Sequence, residues 1–263
     1  MNLLWLIIVT GFAGGVLKIA GGLLYGSNTL FVDALTSIAN MISLLIVLWF
    51  RRITSIPPDS DHHFGHERFE YVGILPIIIA YGFVAGIGVA RLYYVREYTV
   101  GIGSFYLALA ATLLYSIAVV YSRKTSPSLR AYGVFTASEL LEGIVGIIAS
   151  LGGTLYSYLI DYGGAVLLTS YIFYEIYEEG VRLVALMADV APPLSVYEEV
   201  LKIAGSKGFT VKSLRLRTIV PGRYHGDMVI DSRGKPSPGS LAELKKELAV
   251  KGIDVCIDTY ALR

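Results

Sequence analysis

The sequence predicts a membrane all-α bundle of six helices followed by a small cytoplasmic α+β domain of ferredoxin-like order. Three observations carry that prediction. Hydrophobic residues make up 54% of the chain and charged ones only 16%, and the mean hydropathy is positive, a balance outside the range of ordinary soluble domains. Six apolar stretches each approach the roughly 20 residues that cross a hydrocarbon core. After Ala191-Pro192-Pro193 the composition turns abruptly charged, which sets a helical domain at 1–190 and a tail domain at 191–263.

The first stretch, Leu3 to Tyr25, has no basic segment ahead of its apolar run and is long enough to span, so it reads as a retained helix and not a cleaved signal. The others run from Thr29 to Phe50, Tyr71 to Tyr94, Ile102 to Tyr121, Tyr132 to Leu155 and Gly163 to Met187. In the tail, patterning predicts a helix at Val196 to Ala204 and strands at Thr210 to Ile219 and Tyr224 to Asp231. A second helix follows at Ser240 to Val250 and a last strand at Asp254 to Tyr260. Pro221-Gly222 and the Gly234 to Gly239 stretch, with Pro236 and Pro238, supply the turns.

Basic residues fix the expected orientation. Arg51, Arg52 and Arg68 flank the connection between helices two and three, and Arg123, Lys124 and Arg130 lie between four and five. The one-two and five-six loops carry none, and only Arg91 and Arg96 lie near the three-four loop. The positive-inside rule then puts both termini and the tail in the cytoplasm. Tyr93, Tyr94, Tyr98, Tyr156, Tyr158 and Tyr162 fall near the expected outer boundary, as an interfacial aromatic belt does. A net charge of +1 gives no argument for nucleic acid, and the single Cys256 cannot form an intrachain disulfide.

The chemistry lies in three acids at membrane depth. Asp33 interrupts TLFVDALTSIANMISLLIVLWF, and Glu139 and Glu142 interrupt FTASELLEGIVGIIASLGG. An ionised group there costs a few kcal/mol or more unless compensated, so such residues usually line a pathway or hold a cation. On helix two, Asp33, Ser37 and Asn40 fall at i, i+4 and i+7; on helix five, Ser138, Glu139 and Glu142 form a similar stripe. Two facing stripes make an oxygen-rich pocket suited to a divalent cation. The plainer alternative makes Ser37, Ser138 and Asn40 polar contacts that hold helices together. Helix two runs inward and helix five outward, which pairs Asp33 with Glu139 or Glu142. Asn40 lies about 10 Å from Asp33 along the helix and belongs to a lower station nearer the cytoplasm.

The loop IPPDSDHHFGHERFE offers His62, His63 and His66. Asp59, His62 and His66 have the ligand types to close around Zn²⁺, or form a solvated polar loop. No HExxH and no hydrolytic triad is present, so no enzyme is predicted. Gly11 with Gly15, and Gly82 with Gly86, make GxxxG spacings, weak signals for close helix approach.

Lys18, Gly26-Ser27, the run Phe31-Val32-Asp33-Ala34-Leu35-Thr36-Ser37 and the loop Asp59…His62…Phe64-Gly65-His66-Glu67-Arg68…Glu70, with six helices and the tail, together resemble the cation diffusion facilitators over nearly the whole chain. The resemblance implies a homodimer that exports Zn²⁺, Mn²⁺, Fe²⁺ or Co²⁺ from the cytoplasm, in exchange for protons. It implies a membrane site at Asp33 and at either Phe135 with Glu139 or Ser138 with Glu142. Ser37 stands where the family carries a second acid. With no imidazole in the site, oxygen ligands favour harder ions such as Mn²⁺ or Fe²⁺ over Zn²⁺. Asp59, His62 and His66 match the family's loop zinc site, a structural Zn²⁺ besides the transported ion and the one cofactor implied. Arg68 and Asp189 resemble an ionic lock that in relatives holds the dimer. In the tail, Asp258 and Tyr260 stand where the family commonly has His and Asp, and His225 is isolated. Ser37 also leaves open a non-transporting membrane module of the same fold, serving metal sensing or assembly.

Overall fold

The structure, a computed structural model, describes residues 3–63, 65–122, 127–231 and 237–260. Phe64, Arg123, Lys124 and residues 232–236, part of the stretch expected to turn, lie outside the described residues, as do the side chains of Arg51, Arg130, Phe135 and Ser138. In chain order the elements are α1 Leu3–Leu24, α2 Asn28–Thr54, α3 Phe69–Val72, α4 Ile74–Tyr94, α5 Gly103–Ser122, α6 Pro127–Leu155 and α7 Tyr158–Met187. The tail adds α8 Leu194–Ser206, β1 Val211–Val220, β2 Arg223–Asp231, α9 Pro238–Val250 and β3 Ile253–Tyr260. The chain is thus mostly helical, with a small sheet near its C-terminus.

Several boundaries differ from the sequence reading for visible reasons. Helix α2 continues beyond Phe50 to Thr54, because a change of side-chain polarity does not by itself interrupt backbone hydrogen bonding. The third apolar stretch is split into the one-turn α3 and the long α4, with Gly73 between them. Helix α7 begins at Tyr158, five residues before the expected start, where the Ser157 hydroxyl accepts the Leu159 N–H as an N-cap does. By length and composition, α2 and α4 are apolar enough to cross a membrane, and Val9–Leu24 and Gly103–Ile117 form shorter apolar helical stretches.

The chain divides into two compact units, one of Met1–Trp49 with Gly73–Gly180 and the other of Phe50–Val72 with Val181–Arg263. In the first, α5 packs between α1 and α6. Val32 and Ala39 of α2 join Ile77, Tyr81, Val84 and Ala85 of α4 and Ala165, Leu168 and Ile172 of α7 in one buried cluster. Among the described residues, Gly82 and Gly86 meet no atoms within 4 Å, so that GxxxG pair makes no close approach there.

In the second unit the tail runs α-β-β-α-β, with strand order β1-β2-β3. Strands β1 and β2 are antiparallel, pairing Leu216 with Gly226, whereas β2 and β3 are parallel, pairing Met228 with Ile257. A parallel pair needs a crossover, and α9 supplies it. Ser237 starts α9 by accepting the Ser240 N–H. Alternation puts Leu216, Met228, Ile230 and Val255 against Val200 and Ile203 of α8 and Leu244 and Leu248 of α9. Every residue of this core comes from the tail. Residues Pro193 to Arg263, expressed alone, are therefore expected to melt at the same temperature with and without chelator. A marked chelator-induced drop in a thermal melt would reveal a structural metal.

Candidate metal centre

The start of α2 is fixed by an acid from another helix. Asp161, buried in the first turn of α7, accepts the Asn28 N–H at 2.7 Å, the Ser27 hydroxyl at 2.6 Å and the Tyr98 hydroxyl at 2.9 Å. A carboxylate at a helix N-terminus satisfies otherwise orphaned N–H groups and complements the helix dipole. Arg91 adds a bond from Nε to Asn28 Oδ1 at 2.9 Å and lies over the Phe31 ring. These contacts set the depth of Asp33, one and a half turns further along α2.

Asp33, Glu139 and Glu142 are 0%, 1% and 2% exposed, and one oxygen of each lies within 4.8 Å of the others. The pairing follows from two helices running in opposite senses. Near the α2 start, Thr36 Oγ1 donates to Glu142 Oε2 at 2.6 Å, and Asp33 Oδ2 faces α6 beside Gly146, 3.5 Å from where a Cβ would stand. One turn deeper, Ser37 Oγ donates to Glu139 Oε2 at 2.9 Å and Asn40 Nδ2 donates to Glu139 Oε1. Asn40 also accepts from the Tyr81 hydroxyl of α4. Asn40 is therefore bonded directly to the acidic cluster, which corrects its expected place at a separate lower station. Rise along α2 measures only backbone separation, and the Glu139 side chain reaches from α6 to Asn40 across it. Ser138 contributes no described side chain, and the acids that α6 supplies are spaced i, i+3.

The cluster includes residues to which the sequence reading gave no role. Lys18, in the C-terminal half of α1 and 1% exposed, donates from Nζ to Asp33 Oδ1 at 2.7 Å, to Ser37 Oγ at 3.0 Å and to Glu139 Oε2. Its ammonium lies 4.4 Å from the centre of the Tyr115 ring of α5. The signal was available: the cost that singled out three acids applies equally to a lone lysine in an apolar helix. Thr36 and Tyr81 carried no comparable signal, because hydroxyls are common in such helices. Asp33 Oδ2 is buried with no hydrogen-bond partner among the described residues.

A second cluster lies in the loop after α2. Asp59 Oδ1 accepts the N–H groups of His62 at 2.7 Å and Asp61 at 3.0 Å, and these bonds, the His62 bond above all, hold its carboxyl below the usual range. His62 Nδ1 and His66 Nε2 approach that carboxylate at 3.6 and 3.5 Å, and the two rings are 4.4 Å apart. His66 is buried and its Nδ1 has no partner among the described residues. Two imidazoles and a carboxylate drawn together in this way fit three ligands of a tetrahedral Zn²⁺, whose contribution would be to clip the loop. His63 is not among the three that converge.

The same unit holds Arg68 and Asp189 together. Asp189 accepts from Arg68, and from Arg217 of β1 at 3.0 Å. Beside it, Glu67 pairs with Arg223 through two guanidinium bonds. Partial burial pushes the Asp189 carboxyl upward, but the two arginines outweigh this and hold it below the usual carboxylate range. A depressed folded-state value means stability present above the unfolded carboxyl range and lost as pH falls through the folded one. Asp189→Asn keeps a residue that tolerates the positive φ of 55° while removing the charge. The expected loss is at most about 1 kcal/mol at neutral pH, since exposed pairs are screened, and it vanishes in acid. Thermal melts of the whole protein from neutral to acid pH check this, and a difference that persists in acid contradicts it.

These contacts define a helical unit that buries three carboxylates around one ammonium. Residues 4–187 match the cation efflux transmembrane domain, and the chain belongs to that family, which is one of transporters. It is similar to an uncharacterized transporter of Methanocaldococcus jannaschii, 27% identical over 169 residues, 60% of this chain and 58% of that protein. The manganese efflux system protein MneP of Bacillus subtilis is 24% identical over 222 residues, 80% of this chain and 74% of its own length. The magnetosome protein MamM of Magnetospirillum gryphiswaldense is 33% identical over 69 residues, 26% of this chain and 21% of its own length. The chain thus spans a little over half of the M. jannaschii relative.

Proposed function

We propose that the protein exports a divalent transition-metal cation from the cytoplasm by proton antiport, as a homodimer with six membrane helices, a ferredoxin-like tail and both termini in the cytoplasm. The observation that carries this reading is the convergence of Asp33, Glu139 and Glu142 within 4.8 Å in a buried site on two helices. The α-β-β-α-β order of the tail supports the ferredoxin-like assignment. Three carboxylates with the oxygens of Thr36, Ser37 and Asn40 form a hard, sulfur-free and imidazole-free ligand set, which favours Mn²⁺ or Fe²⁺ over Zn²⁺ and Co²⁺. The likeness to a manganese efflux system protein points the same way.

Antiport follows from the charge the site must carry when empty. Once the cation leaves, one ammonium remains against three carboxylates, and protons are the smallest ions that restore the balance in a buried site. The second reading, a non-transporting sensing or assembly module, draws on Ser37 in place of an acid and on Lys18 among the same oxygens. Uptake of Mn²⁺, Fe²⁺, Zn²⁺ and Co²⁺ into sealed proteoliposomes, measured side by side, decides between them. Flux of at least one ion above protein-free liposomes is the expected result, and no flux of any ion supports the module.

A further inference from the structure

Lys18 occupies the place where a cation would bridge α2 and α6. Its three ammonium hydrogens are matched by three acceptors, Asp33 Oδ1, Ser37 Oγ and Glu139 Oε2, on the two helices that hold the acids. The opposite side of the cluster is different. Asp33 Oδ2 has no hydrogen-bond partner among the described residues, and Glu142 bonds to Thr36 and not to Lys18 among the contacts seen. A cation entering there meets free oxygen first and then the oxygens that the ammonium holds.

We propose that Lys18 is a specificity-determining residue: its tethered ammonium is the resident counter-ion of the empty site, a divalent cargo displaces it, and a monovalent ion does not. The inference rests on reading this cluster as the transport site. Its physical basis is competition. A side chain attached one helix away is present at an effective concentration on the order of millimolar or more, so an incoming ion with the same single charge gains nothing by replacing it. A divalent ion brings twice the charge to the same oxygens and wins. Lysine suits the task because its charge is compact and sits on a flexible four-carbon stem, so the ammonium can leave the carboxylates without backbone movement. The Tyr115 ring, 4.4 Å from Nζ, offers a face on which a displaced cation is stabilised. When the cargo departs, the ammonium returns to the oxygens and opposes rebinding.

The test uses the full-length protein in detergent, with Mn²⁺ and Na⁺ as probes and Mn²⁺ binding read by electron paramagnetic resonance. Lys18→Gln is expected to bind Mn²⁺ about tenfold more tightly than the wild type or better, and Na⁺ is expected to compete with Mn²⁺ in the variant but not in the wild type. Mn²⁺ binding in Lys18→Gln that is equal to or weaker than the wild type overturns the proposal, as does Na⁺ competition that is the same in both. Because the substitution leaves two buried carboxylates without their cation and can prevent folding, a second measurement uses the wild type. In a structure of the Mn²⁺-loaded protein, Nζ is expected to have left both Asp33 and Glu139; an ammonium still bonded to both beside the metal refutes displacement. Wild-type Mn²⁺ binding that survives Asp33→Ala is a separate outcome, which rejects the acidic cluster as the transport site and removes the basis for a competing lysine.

Discussion

Asp33→Ala is expected to reduce metal flux in proteoliposomes by more than about a hundredfold, beyond the loss usual for groups that only support a metal ligand. The structure explains why the effect falls on transport and not on folding. Among the described residues Asp33 makes one ion pair, through Oδ1 to Lys18, and Lys18 keeps its second carboxylate partner in Glu139 and its bond to Ser37. The other carboxylate oxygen has no donor to lose among the described residues. Removing a buried anion also relieves a solvation cost. The variant should therefore elute from size-exclusion chromatography as the wild type does, while its flux falls to background. Full transport by a correctly folded Asp33→Ala protein would refute the assignment of the site.

Replacing Glu139 and Glu142 by Gln is expected to disconnect metal flux from the pH gradient. Gln keeps the shape of Glu, and its amide oxygen can still accept from Thr36 at position 142 and from Ser37 or Asn40 at position 139. What is lost is the capacity to exchange a proton for the cargo. With the cytoplasmic face of the protein outward, metal enters the vesicle as protons leave, so an acidic interior should accelerate wild-type uptake. Each pH unit of gradient supplies about 1.4 kcal/mol per exchanged proton, close to a tenfold change in the accumulation the gradient can support. The double variant should show a lower flux that is indifferent to the gradient. Wild-type flux that ignores the gradient, or a double variant as gradient-driven as the wild type, would show that coupling does not run through these carboxylates.

The two clusters were legible to different degrees. The acids announced themselves because ionised groups at membrane depth are costly whatever the fold, so Asp33, Glu139 and Glu142 could be singled out before any contact was known. Asp59, His62 and His66 lie within eight residues of one another in the chain, and local spacing sufficed to group them. Lys18 was open to the same cost argument as the acids, but its partner Glu139 is 121 residues away, so its role emerged only when the helices were assembled. Asn40 was misplaced because rise along a helix measures backbone separation and not the reach of a glutamate from a facing helix.

Composition and periodicity by themselves determined that this is a mostly helical chain with apolar helices, an acid-bearing interior and a charged α+β tail, because burial and hydrogen bonding constrain which residues each kind of element tolerates. Only the tertiary structure decided which acid meets which hydroxyl, and that Thr36 serves Glu142 while Ser37 and Asn40 serve Glu139. It also decided that Asp161 holds the start of α2, and that an ammonium stands among the carboxylates. The physical reason is register. A helix fixes the angular position of its own residues, but its depth and rotation against a neighbour are set by packing and by polar contacts between segments more than a hundred residues apart, which no local pattern encodes.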